Sequence, residues 1–320
     1  MTQWVVNLQQ AEAGDASLVG GKAATLHRLL AAGMPVPDAC VVTVAAFHAH
    51  FPATTALQPS MRPITATARA GGGTAAGGGT AVAGRNKPPA AVQAQYFHPE
   101  LAQAVQEAVL AMFGADDVYL AVRSSAVGED GTASSFAGQH ETYYHVRPSG
   151  LVEAIQACWA SLWSRRAVSY RRHRESGPDA NADFAMAVII QRMVQADRSG
   201  VCFTSDPTQQ QPGRAWIEAI WGLGAALVDG RVTPDRLLLD RSGRVLRQQI
   251  GRKRHQVAAT LRHPERDRLD PVPTFQQTLP VLSTSEARNV LGLSLAAERL
   301  FGAPQDVEWA FEGERFYVLQ

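Results

Sequence analysis

Apolar positions recur at two different spacings along the chain, and this predicts a mixture of strands and helices. Val118, Leu120 and Val122 alternate with other residues, which is typical of a strand. Other predicted strands cover residues 39–44, 141–146, 184–193, 200–204 and 215–221. The helical spacing of apolar residues is found at residues 101–113, 149–172 and 283–301. The second half of the chain is therefore richer in strands than the first.

Two polar stretches interrupt this pattern. Residues 60–94 contain GGGTAAGGG and KPP without any apolar period, which indicates a flexible insertion. Residues 177–183 form a polar break of the kind that separates compact units. We therefore predict two lobes, residues 1–180 with the insertion at about 60–94, and residues 181–320.

Composition and charge exclude several classes of protein. The net charge of the 320 residues is +1, so no overall positive field attracts nucleic acid or an acidic membrane. Cys40, Cys158 and Cys202 are scattered without metal-ligand spacing, which indicates a reduced compartment. The chain starts without a signal-peptide pattern and holds no apolar stretch of membrane-spanning length. We expect a cytoplasmic protein that binds neither nucleic acid nor membrane.

Arg123 ends the predicted strand that begins at Val118, and a loop of small and polar residues follows at positions 124–138. The N–H groups of such a loop can form an anion nest, and a guanidinium binds phosphate oxygens in pairs. The combination indicates a polyphosphate site. An ordinary hairpin with a long polar loop explains the stretch equally well when it is taken alone.

A second candidate cation, Lys22, follows Gly20 and Gly21 at the start of a predicted helix that Gly33 ends. A positive side chain in the first turn opposes the helix dipole. Lys22 is better explained if an anion binds at the same helix start. A solvated surface lysine is the simpler alternative, because GGK falls far short of a complete P-loop.

The last stretch of the sequence predicts a hairpin whose first strand carries Asp306 and Glu308 on one face, because both alternate with apolar Val307 and Trp309. With a three-residue loop Gln320 joins that face, whereas a two-residue turn directs it away. Carboxylate and amide oxygens suit Mg²⁺ that is carried with nucleotide phosphates. An acidic edge strand that discourages aggregation is the alternative.

Five stretches of the chain occur in an order that is found in one enzyme family. They are GGKAATLHRLLAAGMPVPDACVVT, VRSSAVGEDGTASSFAGQHETYYHV, VIIQRMVQADRSGVCFTSDP, WGLGAALVDGRVTPD and QDVEWAFEGERFYVLQ. Together they resemble the nucleotide-binding domain of the pyruvate phosphate dikinase and phosphoenolpyruvate synthase family, which also occurs in rifampin phosphotransferases and glucan dikinases. The resemblance implies an α+β ATP-grasp fold, in which two lobes clamp Mg·ATP between β-sheets.

The resemblance also implies roles for individual residues. Lys22 and Arg123 match the phosphate-gripping cations of the family and are the candidate catalytic residues. The residues that match the loop closing over the phosphates, and the position after it, are Ser135, Gly138, Gln139 and Thr142. The residues that match the adenine-binding hinge are Gln191, Met193 and Val194. Glu308 and Gln320 match the metal ligands, with Asp306 beside them in the nucleotide site.

In full-length relatives this domain splits ATP into AMP and phosphate. The β-phosphoryl group passes to a histidine on a separate carrier domain, which delivers it to a small-molecule acceptor. The resemblance therefore implies an ATP-dependent phosphotransferase with paired acceptors, with ATP and Mg²⁺ as cofactors and a phosphohistidine carrier as partner. Such a site works by positioning and by neutralising charge on the transferred group.

Departures from the family pattern leave alternatives open. Ala225 stands where the family usually has Glu after GLG, and no Arg-Pro pair follows Gln320. None of the histidines lies in a recognisable carrier motif, so we expect the chain to need a separate carrier. The first alternative is a nucleotide-binding or interaction module without turnover. The second is an ATP-grasp ligase that activates a carboxylate and releases ADP.

Overall fold

The structure, a computed structural model, describes residues 3–51, 97–114, 118–127, 142–163, 185–206, 213–257 and 269–320. The strands in these ranges are β1 Val5–Asn7, β2 Ala39–Val42, β3 Leu120–Ala126, β4 Thr142–Val146, β5 Met186–Arg192, β6 Arg198–Phe203, β7 Arg214–Trp221, β8 Asp235–Asp240, β9 Val245–Gln249, β10 His255–Gln256, β11 Asp270–Pro271, β12 Asp306–Glu312 and β13 Arg315–Val318. The helices are α1 Ala16–Ala31, α2 Val44–His50, α3 Pro99–Phe113, α4 Leu151–Ala160, α5 Ala225–Val228 and α6 Thr284–Phe301. This mixture confirms the predicted α+β class.

Four of the sequence predictions fall wholly or partly on other parts of the chain. The insertion at residues 60–94 and the polar break at 177–183 lie outside the described residues. Most of the loop at 124–138 does so too, as does the end of the helix predicted at 149–172.

The strands form two large sheets and one small one. The first sheet has five strands in the order β1-β2-β5-β3-β4, and the second has six in the order β13-β12-β6-β7-β8-β9. Neighbouring strands in both sheets run antiparallel. The small sheet pairs β10 with β11.

Strand β5 lies at the centre of the first sheet, although it follows the other four strands of that sheet in the chain. It pairs with β2, where Val188 faces Val42, and with β3, where Ile189 faces Arg123. The predicted division at residue 180 assigns β5 to the C-terminal lobe. The sheets themselves change later, between Arg192 and Arg198. The division into two lobes at residue 180 remains a prediction.

The first sheet is covered on both faces. Helices α2, α3 and α4 pack on one face around Phe47 and Trp159. Helix α1 packs on the other face through residues such as Leu26, in a cluster that also contains Val307 and Val318 of the hairpin β12–β13. The hairpin of the second sheet thus shares a core with the first.

Helix α6 covers the second sheet through residues such as Val290 and Leu291. It begins with the predicted capping box. The Glu286 N–H donates to Ser283 Oγ at 3.3 Å, and the Ser283 N–H donates to the Glu286 carboxylate at 2.7 Å. These two bonds satisfy N–H groups that a helix start otherwise leaves without partners.

A further apolar cluster lies where the two sheets meet. It contains Ala121 of β3, Ala310 of β12 and, from the segment that links the sheets, Met193 and Val194. The candidate site lies beside this cluster, so its residues come from both sheets.

Candidate functional site

Arg123 lies in the middle of β3 rather than at its end as predicted, because the strand continues to Ala126, and the residue is only 6% exposed. Its guanidinium donates to the carbonyl of Leu319 at 2.7 Å and contacts the Glu308 carboxylate at 3.4 Å. The structure therefore brings a predicted phosphate-binding cation of the first sheet to a predicted metal ligand of the second. A buried cation needs such acceptors, because an uncompensated charge inside a protein is very costly.

Tyr144 of β4 is a third member of this group, and the sequence analysis did not find it. Its hydroxyl hydrogen-bonds with Arg123 and lies in the field of Glu308. Removal from water raises the pKa of Tyr144, and the positive charge of Arg123 acts in the opposite direction. The hydroxyl therefore stays protonated at neutral pH and can donate to an anion beside Arg123.

Thr142 lies directly opposite Arg123 in the pairing of β3 with β4. The family resemblance implied that both residues belong to the nucleotide site, and the register puts them next to each other. Their hydroxyl and guanidinium groups can reach the same ligand, because directly opposed side chains share a face of the sheet.

Helix α1 carries Lys22 and is interrupted two residues earlier. Gly20 has φ +76° and ψ +166°, so a new helical segment begins after it. The N–H of Ala23, in the first turn of that segment, donates to Ser125 Oγ of β3 at 3.1 Å. Half-buried Lys22 therefore lies at a helix start that rests on the strand carrying Arg123.

Gly20 cannot be replaced without moving this helix start. A Cβ at Gly20 would lie 2.2 Å from the carbonyl oxygen of Ser125, and φ is positive. We expect Gly20→Ala to lower the free energy of unfolding by about 3 kcal/mol or more, since strain and a backbone clash add. Urea denaturation followed by circular dichroism measures this change.

Gly33 is the matched control for that substitution. Its φ is +78°, but nothing lies within 4 Å of a Cβ added there. Gly33→Ala should therefore lower the free energy of unfolding only by the cost of a positive φ in a residue with a Cβ, about 1 kcal/mol. Equal losses for the two variants would show that the contact of Gly20 with Ser125 has no influence on stability.

The two acids of β12 lie as predicted on the face opposite Val307 and Trp309, which are buried. Asp306 is exposed, yet partial desolvation raises the pKa of its carboxyl. Glu308 is half-buried and points at Arg123. Two carboxylates on one strand face can supply oxygen ligands to a divalent cation.

Gln320 follows the two-residue alternative of the sequence analysis. Glu312 pairs with Arg315, so the hairpin turn consists of Gly313 and Glu314 alone. Regular pairing ends at Val318, and the Glu308 N–H then donates to the carbonyl of Gln320 at 2.9 Å. This excludes the three-residue alternative, in which Gln320 pairs opposite Asp306. Its metal-binding role remains a prediction.

The predicted adenine-binding residues lie at the boundary between the sheets. Met193 and Val194 are buried in the cluster between the sheets. Gln191 is the last but one residue of β5, and its buried amide makes a long contact of 3.5 Å with the carbonyl of Pro37. The apolar surroundings of Met193 and Val194 fit a flat heterocycle.

Other predicted site residues and ready-made metal clusters are not found among the described residues. Ser135, Gly138 and Gln139 lie outside the described ranges. Within those ranges no three His, Cys, Asp or Glu side chains come together as a metal site.

Comparison with known proteins identifies the family. Residues 16–320 match the family described as pyruvate phosphate dikinase, AMP/ATP-binding domain. The chain belongs to this family. The expected ATP-grasp class is thereby confirmed, and the two sheets with Arg123 and Glu308 between them are the corresponding architecture.

Three relatives show how widely the domain is used. The chain is 33% identical over 311 residues to a probable phosphoenolpyruvate synthase of Methanocaldococcus jannaschii, covering 96% of the chain and 25% of that protein. It is 35% identical over 316 residues to the prodigiosin synthesizing transferase PigC of Serratia marcescens, covering 96% and 32%. It is 35% identical over 321 residues to a rifampicin phosphotransferase of a Streptomyces species, covering 99% and 35%.

The chain thus spans about a quarter to a third of the length of these relatives. In the described part of the chain, every helix is too short or too polar to cross a membrane.

Proposed function

We propose that this chain is the ATP-binding module of a dikinase-type phosphotransferase in the cytoplasm. It splits ATP into AMP, passing the β-phosphoryl group to a histidine on a separate carrier domain and the γ-phosphoryl group to water, which releases phosphate. The carrier then delivers the group to a small-molecule acceptor. The family match supports the ATP-binding part of this proposal, the arrangement of charges supports a metal–nucleotide site, and the transfer to a carrier histidine rests on the resemblance to full-length relatives.

The observation that carries the proposal is the meeting of Arg123 and Glu308 across the two sheets. Each group is the natural partner of a different part of a metal–nucleotide complex. Arg123 can exchange Glu308 and the Leu319 carbonyl for phosphate oxygens. Glu308 is then released to bind a divalent cation.

The other residues of the site add positive charge and donors on the first-sheet side. Lys22 and the N–H groups at the interrupted start of α1 face an anion, with Thr142 and the Tyr144 hydroxyl beside Arg123. Asp306, Glu308 and Gln320 supply oxygen ligands for Mg²⁺, which neutralises phosphate charge when bound. Ser135, Gly138 and Gln139 are proposed to close over the phosphates, and Met193 and Val194 to contact the adenine.

The proposal is tested by supplying the missing acceptor. The chain is mixed with Mg·ATP and a histidine-bearing carrier domain taken from a phosphoenolpyruvate synthase relative. We expect AMP and a phosphohistidine in equal amounts, and no AMP when the carrier histidine is replaced by alanine. Formation of ADP, or no AMP with any carrier, would contradict the transfer reaction.

One observation favours a second candidate, a nucleotide-binding or interaction module without turnover. Ala225 begins the short helix α5 in the position where relatives usually have Glu, and its side chain carries no charge. If Ala225 makes the site inactive, ATP binds but no carrier is phosphorylated, and Ala225→Glu restores AMP formation. The same experiment therefore separates the two candidates.

A further inference from the structure

A second ion pair connects the two sheets at the opposite end of β12. Arg192, the last residue of β5, contacts the Glu312 carboxylate at 3.1 Å and donates to the Tyr317 hydroxyl at 2.7 Å. Glu308 and Glu312 lie four residues apart on one face of β12, so each meets an arginine of the first sheet. The first pair belongs to the predicted phosphate and metal site, whereas the second lies beside the predicted adenine-binding residues Gln191 and Met193.

Glu312 also holds the segment that links the sheets. Its carboxylate accepts the N–H of Gln195 at 2.9 Å. Asp197 is bonded to the residues on either side of Glu312. Its carboxylate accepts the N–H of Gly313 at 2.6 Å, and its N–H donates to the carbonyl of Phe311 at 2.9 Å. From Gln195 onwards the linker is therefore attached to the second sheet.

The beginning of the linker is attached to the first sheet instead. The Met193 N–H donates to the carbonyl of Tyr119, just before β3, at 2.9 Å, and the Arg192 N–H donates to the carbonyl of Asp38 at 2.8 Å. Between these two sets of anchors only Val194 remains. Within the linker, a change in the angle between the sheets is therefore taken up at Val194, directly beside the Arg192–Glu312 pair.

We propose that Glu312 is a positioning residue that sets the angle between the two sheets, and with it the separation of Arg123 and Glu308. Its role in nucleotide binding rests on the proposed function. It touches neither of the predicted phosphate-binding cations, and acts by bonding Arg192 and Gln195 at once.

Because β12 is extended, a small rotation about Glu312 produces a large displacement of Glu308 at the candidate site. Four residues of strand span about 13 Å. A rotation of about 10° around the Glu312 end therefore moves Glu308 by about 2 Å relative to Arg123. That displacement is enough to separate phosphate and metal ligands from a common substrate.

The environment of Glu312 keeps this arrangement ionised at neutral pH. Hydrogen bonds and charge from Arg192, with the N–H of Gln195, lower the pKa of Glu312 against an opposing effect of burial. The pair is partly shielded from solvent, with Arg192 30% and Glu312 25% exposed in their side chains. It is therefore less weakened by salt than a fully exposed pair.

The test measures the angle between the sheets directly. Spin labels are placed at two exposed positions, Gln106→Cys and Arg247→Cys. The first lies on helix α3, which packs on the first sheet, and the second lies on β9 of the second sheet. The native cysteines do not interfere, because all three are buried and burial raises the pKa of Cys40 and Cys202 to about 12. We expect one narrow distance in this labelled background and a longer or broader distribution after Glu312→Gln.

Glu298→Gln is the matched control. Glu298 also pairs with an arginine through both carboxylate oxygens, but its partner Arg241 belongs to the second sheet. This variant should leave the distance unchanged. An unchanged distance in both Glu312→Gln and Arg192→Lys would overturn the inference, whatever their stability.

Nucleotide binding supplies the second measurement. Calorimetry with Mg·ATP should show an affinity about tenfold lower for Glu312→Gln, and an unchanged affinity for Glu298→Gln. If Glu312→Gln changes the spin-label distance but not the affinity for Mg·ATP, the angle between the sheets does not control nucleotide binding. If the unsubstituted chain binds no Mg·ATP, the proposed function fails, and the distance measurement still decides whether Glu312 sets the angle.

Discussion

Replacement of Arg123 by alanine is expected to weaken Mg·ATP binding by about two orders of magnitude. A guanidinium that binds phosphate oxygens makes charge-assisted hydrogen bonds, and their loss costs about 3 kcal/mol, or a hundredfold in affinity. The residue is buried at the meeting point of the two sheets, so water cannot easily substitute for it. Isothermal titration calorimetry of the purified chain with Mg·ATP measures the effect.

Two further variants make this result specific. Arg123→Lys keeps the positive charge but cannot bind two phosphate oxygens at once. Its affinity for Mg·ATP should therefore lie between those of the unsubstituted chain and Arg123→Ala. Arg236→Ala removes an arginine whose partner, Glu218, lies on the same sheet at 2.7 Å, and should leave affinity unchanged. A normal affinity in Arg123→Ala, with the thermal midpoint preserved, would place the phosphate site elsewhere.

The largest effect on stability is expected at Asp235. Its carboxylate is fully buried and accepts from the Lys253 ammonium, from the Gly251 N–H at 2.9 Å and from the Val281 N–H at 2.7 Å. Asp235→Ala leaves a buried ammonium and two N–H groups without this acceptor. We expect a loss of about 3–5 kcal/mol in the free energy of unfolding, measured by urea denaturation.

Substitution of the partner Lys253 should lower the free energy of unfolding by less than Asp235→Ala does. Lys253→Met removes the ammonium, but the Asp235 carboxylate keeps its two backbone donors, and methionine fills a similar volume. The comparison therefore separates the contribution of the Asp235–Lys253 ion pair to the free energy of unfolding from that of the two backbone hydrogen bonds. If Lys253→Met is as destabilising as Asp235→Ala, the ammonium is the dominant partner and the argument from the backbone donors is wrong.

Local signals in the sequence predicted the elements that carry the site. Alternation of apolar residues placed Arg123 on a strand, and the glycine pair placed Lys22 at a helix start. The capping residues of α6 were also readable, because Ser283 and Glu286 interact over three positions. Each of these predictions depends on neighbours in the chain, which is where sequence patterns contain structural information.

Contacts between distant residues were not predictable in the same way. Tyr144 hydrogen-bonds with Arg123 beside a shift in the pairing of β3 with β4, between Leu120 and Val122 and close to His145 with φ +54°. The Leu319 carbonyl reaches Arg123 where the pairing of β12 and β13 becomes irregular. Both features belong to the backbone, and no side-chain pattern reports a register shift.

The position of β5 shows the same limit on a larger scale. Its apolar run predicts a buried strand, but the identity of its neighbours depends on the whole sheet. The polar break before it suggested that a new unit begins there. In the first sheet, β5 pairs with β2 and β3, which precede that break.

This insertion has a consequence for the order of events during synthesis. Strands β2 and β3 leave the ribosome well before β5, and each has an edge that only β5 can cover. Until then the nascent chain exposes unpaired strand edges, which are prone to associate with other chains. A chaperone that retains the emerging N-terminal half should therefore improve the yield of native protein more than one added after release.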